Sequence, residues 1–582
     1  MIRLLPFVVF LFLPSASGGE DGLPPEANNP RDALLRFVPE DVGFCLVVED
    51  LRAHTKTLAR SPFTKAFWRS APGRALAESK EWKQLDKADR ELRTALGLGW
   101  REIRDDILGT AVVFAYRPGP PEKPEEEQGL ILLHARKGQT FEKLLERINT
   151  AQKHSGEVIG LSTSEYKGVR YFTRVEANKK RTHYFLRGPI LVFSAQEQLL
   201  REAIEQDQRL RDSLSPVARR LGNLGSGHPL LLCWLNPRVF DRSLEAEIRG
   251  ANPRRAAGLA TFARYWKAIE DVAFKVELQK ELSLSFIVRG RSEELPPPVR
   301  RLLKVSGQAS DFWRIVPEEP LLAVAGRTDL GALVEVLLGF MSDEEQQKAR
   351  MALENSLGAF LGKNVFAEVL PALGPDWGFC LDAPPPLSPR NHCFPDSLVA
   401  VRIASGDPAD PFDQALYSAL LFPARMLVLG HNSKNPDRPL VLRTERVGTR
   451  RMTVLTGPKA LPPGVQPTFG LHSGYLILAS SPDAVRRFHA AAADRLVPRD
   501  TTSIPLLRVS FRKWQSYLST RREPLARAVA AKHQLSLEQA NRRLGHLLSL
   551  LPLLDRLELR QQTSPGRLEL TLTLCPTYPL SP

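Results

Sequence analysis

The chain has 582 residues, of which 43% are hydrophobic and 25% charged; Lys and Arg number 80 against 65 Asp and Glu, a formal charge of +15. This balance is that of a globular protein and excludes a fibrous repeat or a wholly disordered chain. No apolar run beyond the N-terminus reaches the ~20 residues of a spanning helix, which excludes a polytopic membrane protein, and the length allows about four domains of ~150 residues.

The first element reads as an export signal. Arg3 supplies a positive start, Leu4 to Leu13 form a short apolar stretch interrupted by Pro6, and Ala16 and Gly18 are small residues suited to a cut after Gly18. A stretch this short fits a cleaved signal peptide over 1–18 better than an anchor. The expected location is therefore extracytoplasmic, periplasmic or secreted. Segment 19–31, rich in Gly, Glu, Pro and Asn, is expected to be a flexible lead.

From 32 to 292 the pattern is that of one α+β module. Val38-Pro39-Glu40 opens the strand GFCLVV, and a helical stretch starts near Leu51. Leu98-Gly99 and Leu108-Gly109 bracket another helix. The strand TAVVFAY, a Pro-rich loop, the strand GLILLHA and the helix FEKLLERI follow. A turn Glu165-x-x-Gly168-x-Arg170 leads to GPILVFSAQEQLLREAI, a strand, a capping Ser and an amphipathic helix. HPLLLCWLNPRVF and the strands FKVEL and LSLSFIV close the module. A connector, 293–311, carries Pro296-Pro297-Pro298 and is expected to be extended and stiff.

From 312 to 576 the same features recur in the same order. Val316-Pro317-Glu318 opens PLLAVAG; WGFCL, a Pro-rich loop, SLVAVRIA and the helix PFDQALYSALL follow. Glu445-x-x-Gly448-x-Arg450 repeats the turn motif, and GYLILASSPDAVRRFHA, IPLLRVSFRKWQSYL, LDRLEL and LELTLTL complete the series. An ordered series of this length implies tandem duplication of two similar modules. Short turns between neighbouring strands, with helices between others, predict α+β modules with mostly antiparallel sheet and packed helices.

Chemistry is sparsely marked. There is no G-x-S-x-G elbow, no H-E-x-x-H and no strand-linked G-x-G-x-x-G, so no catalytic residue, metal or cofactor is assigned. Gly358-Ala-Phe-Leu-Gly362-Lys363-Asn364 faintly resembles a phosphate loop, but its glycines are too close and Asn stands where a metal-binding hydroxyl belongs. Of the five cysteines, Cys45 and Cys233 sit in apolar strands. Cys380 and Cys393 flank a Pro-rich loop where export permits a disulfide. Arg170 and Arg450 are candidate anion-binding residues; the alternative is a hairpin turn with an exposed ion pair to Glu165 or Glu445, of little energetic weight. Basic segments around Arg249, Arg254, Arg255 and Arg264, and around Arg521, Arg522, Arg527, Arg542 and Arg543, offer a patch for an anionic surface or a solvated helix face.

The opening FVPEDVGFCLVVEDLRAHTKTLARSPFTKAFWRS and the glycine–strand–serine–helix units at 188–204 and 474–490 resemble a group of uncharacterised exported bacterial proteins, known as a domain of unknown function. The resemblance covers most of the mature chain. It implies an extracytoplasmic location and no activity. The expected function is a non-catalytic interaction or envelope-associated module, whose partner is an anionic envelope component or a protein rather than nucleic acid. The alternatives are an extracytoplasmic hydrolase, or a ligand-binding protein with a site between the modules.

Overall fold

The computed structural model describes residues 29–581 except 211–212, 226–227, 385–393, 404–410, 448–449, 473 and 492–502. The signal segment, Cys393 and Gly448 thus lie outside the described residues. The fold is α+β, and the chain divides into two compact units. One comprises Met1–Gly250, Ile269–Gly290 and Cys575–Pro582; the other comprises Ala251–Ala268 and Arg291–Leu574.

The first unit is built on β1 (Phe44–Glu49), β2 (Ala111–Arg117), β3 (Gln128–His134), β4 (Val158–Tyr166), β5 (Val169–Glu176), β6 (Arg181–Arg187), β7 (Ile190–Ser194), β8 (Leu231–Leu235), β9 (Ile269–Leu278) and β10 (Leu282–Gly290). They pair antiparallel in the order β10-β9-β8-β1-β2-β3-β7-β6-β5-β4. Strand alternation assigns the faces. Cys45, Val47, Val113, Leu130, Leu132, Val192 and Trp234 point to one side and are buried. There they pack with α1 (Pro30–Leu35), α3 (Glu197–Arg209) and α4 (Pro216–Gly222). On the other side α2 (Gln139–His154) covers Leu191 and Tyr184 with its Phe141 and Leu144. The rest of that side is also apolar. Phe286, Phe274, Cys233, Leu46, Phe114 and Ile131 lie in register on six successive strands, all half-buried or exposed.

The second unit contains β11 (Leu322–Arg327), β12 (Leu373–Asp382), β13 (Asp396–Ile403), β14 (Val441–Val447), β15 (Arg450–Thr456), β16 (Thr468–His472), β17 (Tyr475–Ala479), β18 (Ile504–Ser510) and β19 (Leu554–Ser564), with β20 (Arg567–Pro576) at its end. The order is β20-β19-β18-β11-β12-β13-β17-β16-β15-β14. Strand for strand, it is the order of the first unit. Its helices include α5 (Pro253–Ala268), α6 (Leu330–Leu338), α7 (Asp343–Leu353), α8 (Pro411–Lys434) and α9 (Pro482–Ala491). The connector departs from expectation: Pro297–Ser306 is a helix. Proline at the first helical positions loses only amide hydrogens that have no partner there, so the run starts the helix.

Candidate functional site

The turn motif forms a two-residue hairpin. Lys167 and Gly168 take φ of 48° and 78°, and Tyr166 faces Val169 across it. Two successive left-handed residues suit the right-handed twist of the flanking strands, which is why Gly stands there. Glu165 lies opposite Arg170 in the register, both side chains are exposed, and no ion pair joins them. Lys167 does engage: its Nζ lies 2.7 Å from Glu205, which also accepts from the Tyr166 hydroxyl at 2.6 Å. That carboxylate holds the Lys167 ammonium above its ordinary range. In the second unit Arg450 opens β15 opposite Val447; Gly448 is outside the described residues.

Near the first hairpin is an open cavity of about 780 Å³ lined by Pro39, Arg117, Lys167, Glu202, Glu205 and Arg209 among others. Arg117 reaches Asp41 at 2.5 Å, Glu202 at 2.8 Å and Gln128 at 3.0 Å. The Lys167 and Arg117 cations are thus satisfied by carboxylates of the same unit. At the corresponding place in the second unit lies a cavity of about 120 Å³ lined by Val316, Pro317, Cys380, Asp382, Asp396 and Arg487 among others. Asp396 is buried and ion-paired to Arg487, and it accepts from the Ser481 hydroxyl at 3.1 Å. Asp382 faces Asp396 as Arg117 faces Gln128. Each unit thus has a strand-to-helix ion pair, Arg117–Glu202 from β2 and Asp396–Arg487 from β13, on strand positions that do not correspond.

Cys380 sits on β12 at this cavity, and burial pushes its thiol up to about 12. Cys393, its proposed disulfide partner, is outside the described residues. Burial likewise pushes Cys45 to about 12 and Cys233 to about 11. None of these three is a thiolate at neutral pH, the form a nucleophile needs. Burial also lifts the Glu49 carboxyl above its ordinary range, although Arg31 lies 3.1 Å away. Among the described residues no group of three or more His, Cys, Asp or Glu is placed to hold a metal ion.

The unusual surface is on the helices of the second unit. The first half of α8 is anchored: Leu416 and Ala419 pack with Leu361, Val369 and Ile403, and the Tyr417 hydroxyl meets Thr453 Oγ1 at 2.5 Å. Its far end is pinned as well. Asn432 exchanges two hydrogen bonds with the Leu440 backbone, at 2.7 and 2.9 Å. Between these anchors Phe422, Met426, Leu427 and Leu429 are 52–64% exposed. Pro423 lies inside this stretch and removes one helix hydrogen bond. Phe360 packs edge-on against Phe422 with centroids 6.0 Å apart, and Leu357 and Met351 are exposed on the helices before it. A helix apolar on most of its circumference is normally buried. In the first unit α2 holds the matching place between β3 and β4, and its exposed residues are Glu142, Lys143, Glu146, Arg147, Thr150 and Lys153 with their neighbours. The fold therefore does not demand an apolar surface at this position.

A second feature lies on α5, α7 and the turn after α6. A groove of about 790 Å³ is lined by Asn252, Arg254, Arg255, Gly258, Leu259, Phe340, Met341, Glu345, Lys348 and Ala349. Arg254 and Arg255, expected from sequence in a basic patch, line it. Arg527 and Arg542 of the other basic segment instead make exposed ion pairs with Glu523 and Glu538 one turn away. No signal in the linear sequence marks the exposed half of α8, because an apolar helical run reads equally as core.

No protein-family model, no curated protein and no solved structure matches the chain.

Proposed function

We propose that this chain is an exported, non-catalytic module that docks on an anionic lipid surface of the cell envelope through the second half of α8 and the neighbouring Phe360. The observation carrying the reading is the exposed segment Phe422–Leu429, held rigidly at both ends where the first unit has a polar helix. Each large apolar side chain withdrawn from water contributes ~1.5–3 kcal/mol. Arg425, Lys434 and Arg438 lie on or just beyond this segment. Each cation near an anionic leaflet adds ~1 kcal/mol, and the net charge of +15 has the same sign. Among the described residues no helix is long and apolar enough to cross a membrane, so the contact is interfacial. Flotation with anionic vesicles tests the reading, and a protein that stays at the bottom of the gradient at low salt sinks it.

A second reading, a ligand-binding protein, draws on the row from Phe286 to Ile131. Six apolar side chains in register on neighbouring strands offer an extended apolar platform of ~25 Å to a hydrocarbon chain. We also infer that the two units descend from one duplicated module. The shared strand order supports this.

A further inference from the structure

We propose that the groove beside α5 binds one anionic amphiphile, with its hydrocarbon chain on Leu259, Phe340 and Met341 and its carboxylate or phosphate head at Arg254 and Lys348. This goes beyond surface docking and stands on residues other than those of the α8 end, so either can fail alone.

The groove's volume of about 790 Å³ is in the range of small-molecule sites, which combine apolar walls with a few placed polar groups. Its walls are fixed. The Thr261 hydroxyl donates to the Gly339 carbonyl at 2.7 Å, and the Tyr265 and Phe340 rings stand 5.5 Å apart. Gly258 permits the close approach, since a Cβ there would lie 3.1 Å from the Phe340 carbonyl oxygen. Phe340 and Met341 are each 39% exposed, an apolar floor open to water. The rim is cationic. Arg254 is exposed and pairs with Glu345 at 2.6 Å. Glu345 also accepts from the Ser342 backbone and hydroxyl at 3.2 and 3.1 Å. Those Ser342 bonds hold the Glu345 carboxyl below its ordinary range. Arg254 can therefore turn to a ligand without leaving Glu345 unpaired. Lys348 pairs with the exposed Glu344, one helical turn away, an arrangement of low intrinsic strength, and its charge also acts on Glu345.

The test is calorimetric titration of the purified protein with lysophosphatidylglycerol below its micelle concentration, with laurate, with zwitterionic lysophosphatidylcholine and with inorganic phosphate. Saturable binding of lysophosphatidylglycerol or laurate at one per chain is expected, and which of the two binds tells a phosphate head from a carboxylate. Affinity for lysophosphatidylcholine should be at least tenfold weaker, and phosphate alone should not displace the amphiphile. Arg254→Ala with Lys348→Ala, and separately Met341→Glu, should each weaken binding tenfold or more. Equal affinity for the zwitterionic lipid, non-saturating uptake, or unchanged affinity in both variants overturns the proposal. If a variant fails to fold, the head-group preference of the unaltered protein decides.

Discussion

Phe422 of α8 and Phe360 of the preceding helical segment meet edge to face with ring centroids 6.0 Å apart, and both remain exposed. An edge-to-face pair gains ~0.5–1.5 kcal/mol beyond its buried area, so the two rings brace each other without hiding from water. That combination of rigidity and exposure is what the proposed docking surface rests on.

Among the described residues, Leu427 and Leu429 stay 57% and 64% exposed beside those rings. Replacing both with Glu should lower affinity for anionic vesicles about a hundredfold, since losing two such side chains forfeits ~3 kcal/mol or more. The melting temperature should move by only about a degree. A large drop in melting temperature, measured by circular dichroism, would show instead that the residues hold the fold.

The Asp396–Arg487 ion pair predicts a stability effect. Asp396 is buried while Arg487 is partly exposed. Arg487→Ala leaves the carboxylate with hydrogen bonds from Ser480 and Ser481 alone. Removing one partner of a buried pair costs ~3–5 kcal/mol, and the exposure of Arg487 reduces this to about 2. Arg487→Lys should recover part of it. Denaturant unfolding reads both, and an Arg487→Ala midpoint equal to wild type would contradict the account.

At the first hairpin the backbone matters more than the charges. Gly168→Val places a β-branched residue at φ 78° and should cost ~1–2 kcal/mol. Arg170→Ala should cost less than ~0.5 kcal/mol and should leave vesicle flotation unchanged. A loss of anion or vesicle binding in Arg170→Ala alone would restore the arginine to a binding role.

His183 is buried on β6 beside Thr173 Oγ1 at 3.0 Å, and burial lowers its pKa below the ordinary 6.5. The folded state thus favours the neutral ring, and the unfolded state binds more protons below pH 6.5. The stability is present above that pH and is lost as pH falls through the lowered folded-state value. Melting temperature should therefore fall as pH drops below 6.5, and His183→Gln should flatten that slope. An identical slope in the variant would assign the loss to other groups.

Much of the architecture could be read from the chain. GFCLVV, TAVVFAY and GLILLHA carry the two-residue alternation of β1, β2 and β3, and FEKLLERI carries the helical period of α2. Gly168 marked a left-handed turn, and Gly362, at φ 63°, ends a helix where a phosphate loop was rejected. The Pro296 run reads as extended because proline is excluded from helix interiors, yet here it initiates a helix. The proposed docking surface is hidden in the sequence for a different reason. Leu427 and Leu429 have the same hydropathy whether neighbours cover them or not, and only the packing of α8 against Leu361 and Ile403 decides which half is left in water. The groove floor, Leu259 and Phe340, brings together residues far apart in sequence, which no local spacing encodes.

The most direct test attaches an environment-sensitive fluorophore to Leu427→Cys on α8 and, as the control, to Thr150→Cys on α2. Adding phosphatidylglycerol vesicles should shift the α8 probe to the blue as it leaves water, with the shift reduced by high salt, and should leave the α2 probe unchanged. An α8 probe that keeps its aqueous emission under saturating vesicles, or equal shifts at both positions, would contradict docking through this helix.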